Sequence, residues 1–106
     1  MLIELRRYRC APGKRNEWLI LFQETVVPYM TSKGMVVSGS FLDEADADVH
    51  IWMRRFDSEE HRRALHDAVY ESDHWKAVII PRIKGLVLVE DIQVTRLVPT
   101  DSSVIR

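Results

Sequence analysis

Hydrophobic positions along the chain switch between a period of two and a period near 3.6, and each switch marks a new element. From Leu2 to Arg9 the side chains alternate as in a strand, with Ile3, Leu5 and Arg7 on one face and Glu4, Arg6 and Tyr8 on the other. Pro12-Gly13 breaks this run. Between Lys14 and Lys33 the step lengthens, and Trp18, Leu19, Phe22, Val26, Tyr29 and Met30 recur three or four apart. That spacing predicts one stripe of an amphipathic helix. Pro28 lies inside the stripe and is expected to kink the helix or end its regular part, and Gly34 is placed to stop it.

Met35 to Leu42 returns to strand character, and Val49 to Phe56 follows after the acidic stretch Asp43-Glu44-Ala45-Asp46-Ala47-Asp48. The short connection predicts a hairpin with a charged, solvated tip. Asp57 or Ser58 can cap the next helix, Glu60 completing a capping box from Asp57, with Ala64, Leu65, Ala68 and Val69 as its buried stripe. Ser72 and Asp73 interrupt it, and Trp75, Val78 and Ile79 carry a second helical piece to Pro81 and Gly85. Leu86 to Leu97 reads as the last strand. Residues 1–98 then form one domain, and the polar tail 99–106 is expected to fray.

The order β-α-β-β-α-β is the split arrangement of ferredoxin-like α+β folds. It predicts a four-stranded antiparallel sheet with helices on one face, the first and third strands central and parallel to each other. Both faces of that sheet are apolar, with Ile3, Leu5, Val49, Ile51 and Met53 on one side and Tyr8, Trp52 and Phe56 on the other. Two helices cover only one face. The uncovered one would exceed the roughly 300–600 Å² patch that monomers tolerate. A homodimer closed sheet against sheet is therefore expected.

Composition narrows the function. A chain of 106 residues holds a single core, and 46% hydrophobic with 29% charged residues is the balance of an ordinary globular domain. A formal charge of -1 lacks the basic excess of an electrostatic nucleic-acid binder. The pairs Arg6-Arg7, Arg54-Arg55 and Arg62-Arg63 invite an RNA reading, but Ile51-Trp52-Met53-Arg54-Arg55-Phe56 lacks the glycine-aromatic run of an RNA-recognition strand. No apolar stretch approaches the roughly 20 residues of a membrane span, and the charged start Met1-Leu2-Ile3-Glu4-Leu5-Arg6-Arg7 is not a signal peptide. One cysteine, Cys10, excludes an internal disulfide framework and points to a cytoplasmic protein. His61 and His66 are five apart, off the spacing of a helical metal pair, and Gly13, Gly34, Gly39 and Gly85 form no phosphate-binding cluster. No cofactor and no metal are expected.

What chemistry the chain has gathers on the central strands. By alternation Glu4, Arg6 and Tyr8 lie beside His50, Trp52 and Arg54, on a face turned either to the helices or to the dimer interior. One reading is a cleft for a small planar molecule that is acidic or carbonyl-bearing. Arg6 and Arg54 would hold an anionic group, Trp52 and Tyr8 would stack, and His50 or Tyr8 would move a proton. Tyr8, His50 and Arg54 are then the catalytic candidates. The other reading is a Glu4–arginine ion pair with Tyr8 and His50 hydrogen-bonded at the edge of the core.

Ile3-Glu4-Leu5-Arg6-x-Tyr8, then Pro12-Gly13-Lys14 and the Trp18/Phe22 helix, resembles the start of a NIPSNAP-family domain. Val37-Ser38-Gly39-Ser40-Phe41 is similar to that family's second strand. Trp52-Met53-Arg54-x-Phe56 with Glu60 and Arg63 resembles its third strand and following helix, and Tyr70-x-Ser72-x-x-Trp75 its later helical turn. The resemblance implies a dimeric α/β barrel, two ferredoxin-like subunits joined through their sheets, with a site between sheet and helices. The wider superfamily includes cofactor-independent monooxygenases, isomerases, haem-degrading enzymes and ligand-binding proteins. A haem-degrading role would want a histidine late in the second helical region, where this chain has Ile79, Ile80 and Pro81. The expected function is a homodimer that binds a small organic molecule. The alternatives are a cofactor-independent oxygenase or isomerase, or an interaction module with no ligand.

Overall fold

The computed structural model describes residues 1–106. The chain runs β1 (Leu2–Arg9), α1 (Arg15–Leu21), a π-helical turn (Phe22–Val26), α2 (Val27–Ser32), β2 (Val36–Leu42) and β3 (Val49–Phe56). It continues with α3 (Glu59–Tyr70), a second π-helical turn (Trp75–Ile79), α4 (Ile80–Ile83), a 3-10 turn (Val89–Asp91) and β4 (Gln93–Leu97). The strands form one four-stranded antiparallel sheet in the order β2-β3-β1-β4. The fold is α+β and ferredoxin-like, as the order of elements predicts. No helix is long and apolar enough to cross a membrane.

β1 and β3 are the central pair, but they run antiparallel rather than parallel. The first helical segment carries the chain back, so β2 repeats the direction of β1, and the hairpin then reverses β3. The register sets Glu4 opposite Arg54, Arg6 opposite Trp52 and Tyr8 opposite His50. Because antiparallel partners share a face, this alternate set all turns to one side. Burial identifies the side: Trp52, Arg54, His50 and Phe56 are fully enclosed in the core beneath the helices, with Trp18, Phe22 and Ile79 above them.

Pro28 does not break the first helix. A proline ring crowds the carbonyl four residues back and supplies no N–H. The turn ahead of it widens instead: the Val27 N–H bonds Phe22 O, five residues back, and the helix resumes through Pro28. The same solution recurs before Pro81, where the Ile80 N–H bonds Trp75 O. Gly34 ends the first segment at φ +99°, the left-handed conformation expected there.

Four further expectations are corrected. Ser58 alone caps α3, accepting the His61 N–H, and the reciprocal bond runs from the Asp57 N–H to His61 Nδ1 rather than to Glu60. In α3 Leu65 and Val69 are buried but Ala64 and Ala68 are exposed; the inner face turns toward half-buried Arg62, His66 and Tyr70, which a purely hydrophobic stripe overlooks. The last strand begins at Gln93, not Leu86, because Val87 makes one bridge to Cys10 and Val89–Asp91 then coils before pairing resumes with β1. The hairpin tip is pinned rather than freely solvated: Arg7 and Arg9 hold Asp43 and Asp46, and Arg15 Nη1 donates to the carbonyls of Asp43, Asp46 and Val49.

On the outer face of the sheet, Ile3 and Met53 are buried, while Phe41 and Val36 stand half-open to solvent. The tail 99–106 bends back so that Pro99, Ser103 and Ile105 border a hollow with Ile3 and Met53, and the Arg106 guanidinium donates to the carbonyls of Asp101 and Ser103.

Candidate functional site

Between the sheet and the helices lies a cavity of about 330 Å³. Its floor is β1, which contributes Arg6 and Tyr8. One wall comes from the first helical segment (Trp18, Val26, Met30), the other from the second (Tyr70, Trp75, Ile80 and Ile83). Val26 closes one π turn and Trp75 opens the other, so the widened turns that accommodate the prolines also shape this cavity. Trp18 stacks on Tyr8 at 5.6 Å between ring centroids and 28° between planes.

Of the six residues that alternation puts on one face, two line the cavity, and they do so as a unit. Arg6 donates to the Tyr8 phenol oxygen from Nε at 3.3 Å and Nη2 at 3.2 Å, and turns Nη1 to Glu4 Oε1 at 3.4 Å. Burial pushes the Tyr8 phenol above its ordinary value, more than the neighbouring Arg6 pulls it down, so it stays protonated at neutral pH. For Arg6, burial works against the charge, but Tyr8, Tyr70 and Glu4 outweigh it and hold the guanidinium charged.

Arg54 stands one layer behind. Its Nε meets Glu4 Oε1 at 2.6 Å and its Nη1 donates to the Tyr70 phenol oxygen at 2.7 Å. The guanidinium also lies 5.4–5.6 Å from the ring centroids of Trp52, Phe56 and Tyr70. Desolvation pushes the Glu4 carboxyl up, but Arg54, then Arg6 and Arg62, hold it below its ordinary value. The ion pair read from the sequence is therefore present, and it sits beside the cavity instead of filling it. Trp52 lies beneath, edge-on to Tyr8 and to Phe22, so the indoles that face the cavity are Trp18 and Trp75.

His50 is placed apart from the cavity lining. Its Nδ1 accepts the Trp18 indole N–H at 3.0 Å, which leaves the proton on Nε2, 2.8 Å from Ser40 Oγ. Burial, helped by Arg15, lowers its pKa to about 4. The ring is neutral at pH 7, and its position holds Trp18, a wall of the cavity. No group of three or more His, Cys, Asp or Glu side chains comes together to hold a metal ion.

Tyr70 and Lys84 belong to the lining and were not among the residues singled out by alternation. Lys84 carried no sequence signal. Tyr70 carried a faint one, since Arg62, His66 and Tyr70 recur every four residues along the polar flank of α3.

Comparison with known proteins agrees with this architecture. An uncharacterized NIPSNAP domain protein from Burkholderia xenovorans superposes with a TM-score of 0.85 at 25% identity, covering 97% of this chain and 98% of that one. A NIPSNAP family protein from Agrobacterium tumefaciens str. C58 gives a TM-score of 0.85 at 29% identity, over 99% of this chain and 90% of that one. An antibiotic biosynthesis monooxygenase shares the fold alone, with a TM-score of 0.67 at 18% identity over 94% of this chain and 99% of that one. No curated protein matches the chain. The NIPSNAP family model matches residues 3–104, and the chain belongs to the NIPSNAP family.

Proposed function

We propose that this NIPSNAP-family chain binds one small, mostly apolar organic molecule per subunit, in the cavity between sheet and helices. A single observation carries the reading: about 330 Å³ of space, ten of whose twelve lining residues are hydrophobic, with the hydrogen-bonded pair Arg6 and Tyr8 in the lining. That combination of apolar walls and few fixed polar groups is what a ligand site needs for affinity and orientation. Two copies joined through the outer sheet faces would cover Phe41 and Val36, which are 51% and 43% exposed in one chain. The single, buried, unpaired Cys10 fits a reducing compartment such as the cytoplasm.

The test is a thermal-shift and native mass-spectrometry screen of small organic molecules, run in parallel on Ile83→Trp, which places an indole in the cavity. Hits are expected with the wild-type chain and not with the variant. Finding no hit, or hits indifferent to Ile83→Trp, overturns the reading.

One observation favours a catalytic variant of the same reading. A buried, protonated phenol with its oxygen held by a guanidinium is a positioned proton donor, a group that serves an isomerase or cofactor-independent oxygenase. Tyr8→Phe would then abolish turnover beyond any loss of substrate affinity, and it would also cost stability because it strands the Arg6 donors.

A further inference from the structure

The buried cluster beside the cavity holds more positive charge than negative. Arg6 and Arg54, with side chains 11% and 0% exposed, share one oxygen of Glu4. Arg62 reaches the other oxygen at 3.7 Å but is itself paired with Glu59 at 2.9 Å. One carboxylate thus serves two enclosed guanidiniums, and the buried Nη2 of Arg54 finds no protein acceptor at all. An uncompensated buried charge is costly, and an anion brought alongside relieves it.

That charge is delivered into the cavity through two phenols. Arg6 donates to the oxygen of Tyr8 and Arg54 to the oxygen of Tyr70, and both tyrosines line the cavity. A phenol that accepts from a guanidinium still has its own O–H to give. Neither Tyr8 nor Tyr70 has a protein acceptor within hydrogen-bond distance for that proton, and Tyr8 is only 7% exposed, so its proton can be satisfied only from the cavity side. The remaining polar members of the lining are also donors. Trp18 spends its indole N–H on His50, and Lys84 is exposed at the edge of the lining. No carboxylate lines the cavity.

Resting on the reading of this cavity as a ligand site, we propose that its occupant is an apolar monocarboxylate, its oxygens bound by the hydroxyls of Tyr8 and Tyr70, its hydrocarbon body against Trp18, Trp75 and Ile80. The ligand supplies the missing negative charge. Each phenol oxygen is fixed by its arginine, which leaves the O–H free to donate. Arg54 is a positioning residue in this arrangement, since it touches Tyr70 and not the ligand. Lys84 adds a rim charge that draws the anion in.

The experiment is isothermal titration calorimetry at pH 7 with 2-naphthoate and 2-naphthylmethanol, which share a ring system and differ in the anion. Naphthoate is expected to bind the wild-type chain about tenfold or more tightly than the alcohol, the effect of one charge-assisted hydrogen bond. Tyr70→Phe is expected to weaken naphthoate by about tenfold and to leave the alcohol within about twofold. Lys84→Gln, at an exposed position that does not threaten folding, is expected to weaken naphthoate alone and to less effect. Equal binding of acid and alcohol, or loss of both alike in Tyr70→Phe, leaves the cavity a ligand site but overturns the carboxylate. If neither compound binds, the ligand-site reading fails for these probes and the inference fails with it.

Discussion

Replacing Glu4 by glutamine removes the one carboxylate shared by Arg6 and Arg54 and leaves the shape of the side chain intact. Glu4 is 3% and Arg54 0% exposed, and the Nε to Oε1 distance is 2.6 Å, so solvent cannot take over the pairing. Removing one partner of a buried ion pair costs about 3–5 kcal/mol. Set against the roughly 5–15 kcal/mol that hold a domain together, this is a large share. At roughly 4–8 °C per kcal/mol the melting midpoint of Glu4→Gln should fall by at least about 12 °C.

The double variant Glu4→Leu with Arg54→Met removes the carboxylate and the fully buried guanidinium and leaves only Arg6, which keeps its bonds to Tyr8, so it is expected to be more stable than Glu4→Gln although it changes more atoms. The assay is urea denaturation followed by circular dichroism at pH 7, at one fixed protein concentration because association would add to apparent stability. Acid titration supplies a second readout. A carboxyl whose folded pKa lies below the ordinary 4.5 binds fewer protons folded than unfolded. Its contribution is complete above that ordinary value and is lost as the pH falls through the lowered one. Glu4→Gln flattens this stretch of the stability curve. A glutamine variant within about 1 kcal/mol of wild type, or a double variant less stable than the single, refutes the argument that a buried charge is stranded.

Three other outcomes follow from the packing. His50, neutral in the fold with a pKa of about 4 against an ordinary 6.5, should make the protein lose stability as the pH drops from 6.5 to about 4, and nitrogen NMR should find its proton on Nε2; a His50 ring titrating near 6.5 would contradict this. Ser72 ties the two helical segments together, donating to Val69 O, accepting the Trp75 N–H at 3.2 Å and meeting the Tyr29 hydroxyl at 2.5 Å. Ser72→Ala should therefore cost about 1–2 kcal/mol by chemical denaturation, and Tyr29→Phe should add little on top of it, whereas additive effects would show that the bonds are independent. In sedimentation velocity at micromolar concentration the chain is expected to run as a dimer, and Phe41→Glu on the exposed outer face as a monomer; a wild-type monomer removes the proposed dimer.

The sequence by itself determined the order and type of the elements, because a period of two and a period of 3.6 are local properties of neighbouring side chains. It placed Glu4, Arg6 and Tyr8 on one face of β1 and His50, Trp52 and Arg54 on one face of β3, and the register that joins the two sets on the same side came from the structure. What it left open were contacts between residues far apart in the chain. That Arg54 meets Tyr70, that Trp18 takes His50 out of the cavity lining, and that Ala64 and Ala68 face solvent depend on how α3 rolls against the sheet. The π turns ahead of Pro28 and Pro81 are likewise a tertiary decision: a proline in an isolated helix is a break, and packing against a sheet favours widening one turn over losing the buried face of the next. Patterning assigns side chains to faces, and only the docking of helices on the sheet sorts one polar face into a pair that lines the cavity, a charge cluster behind it and a histidine set apart.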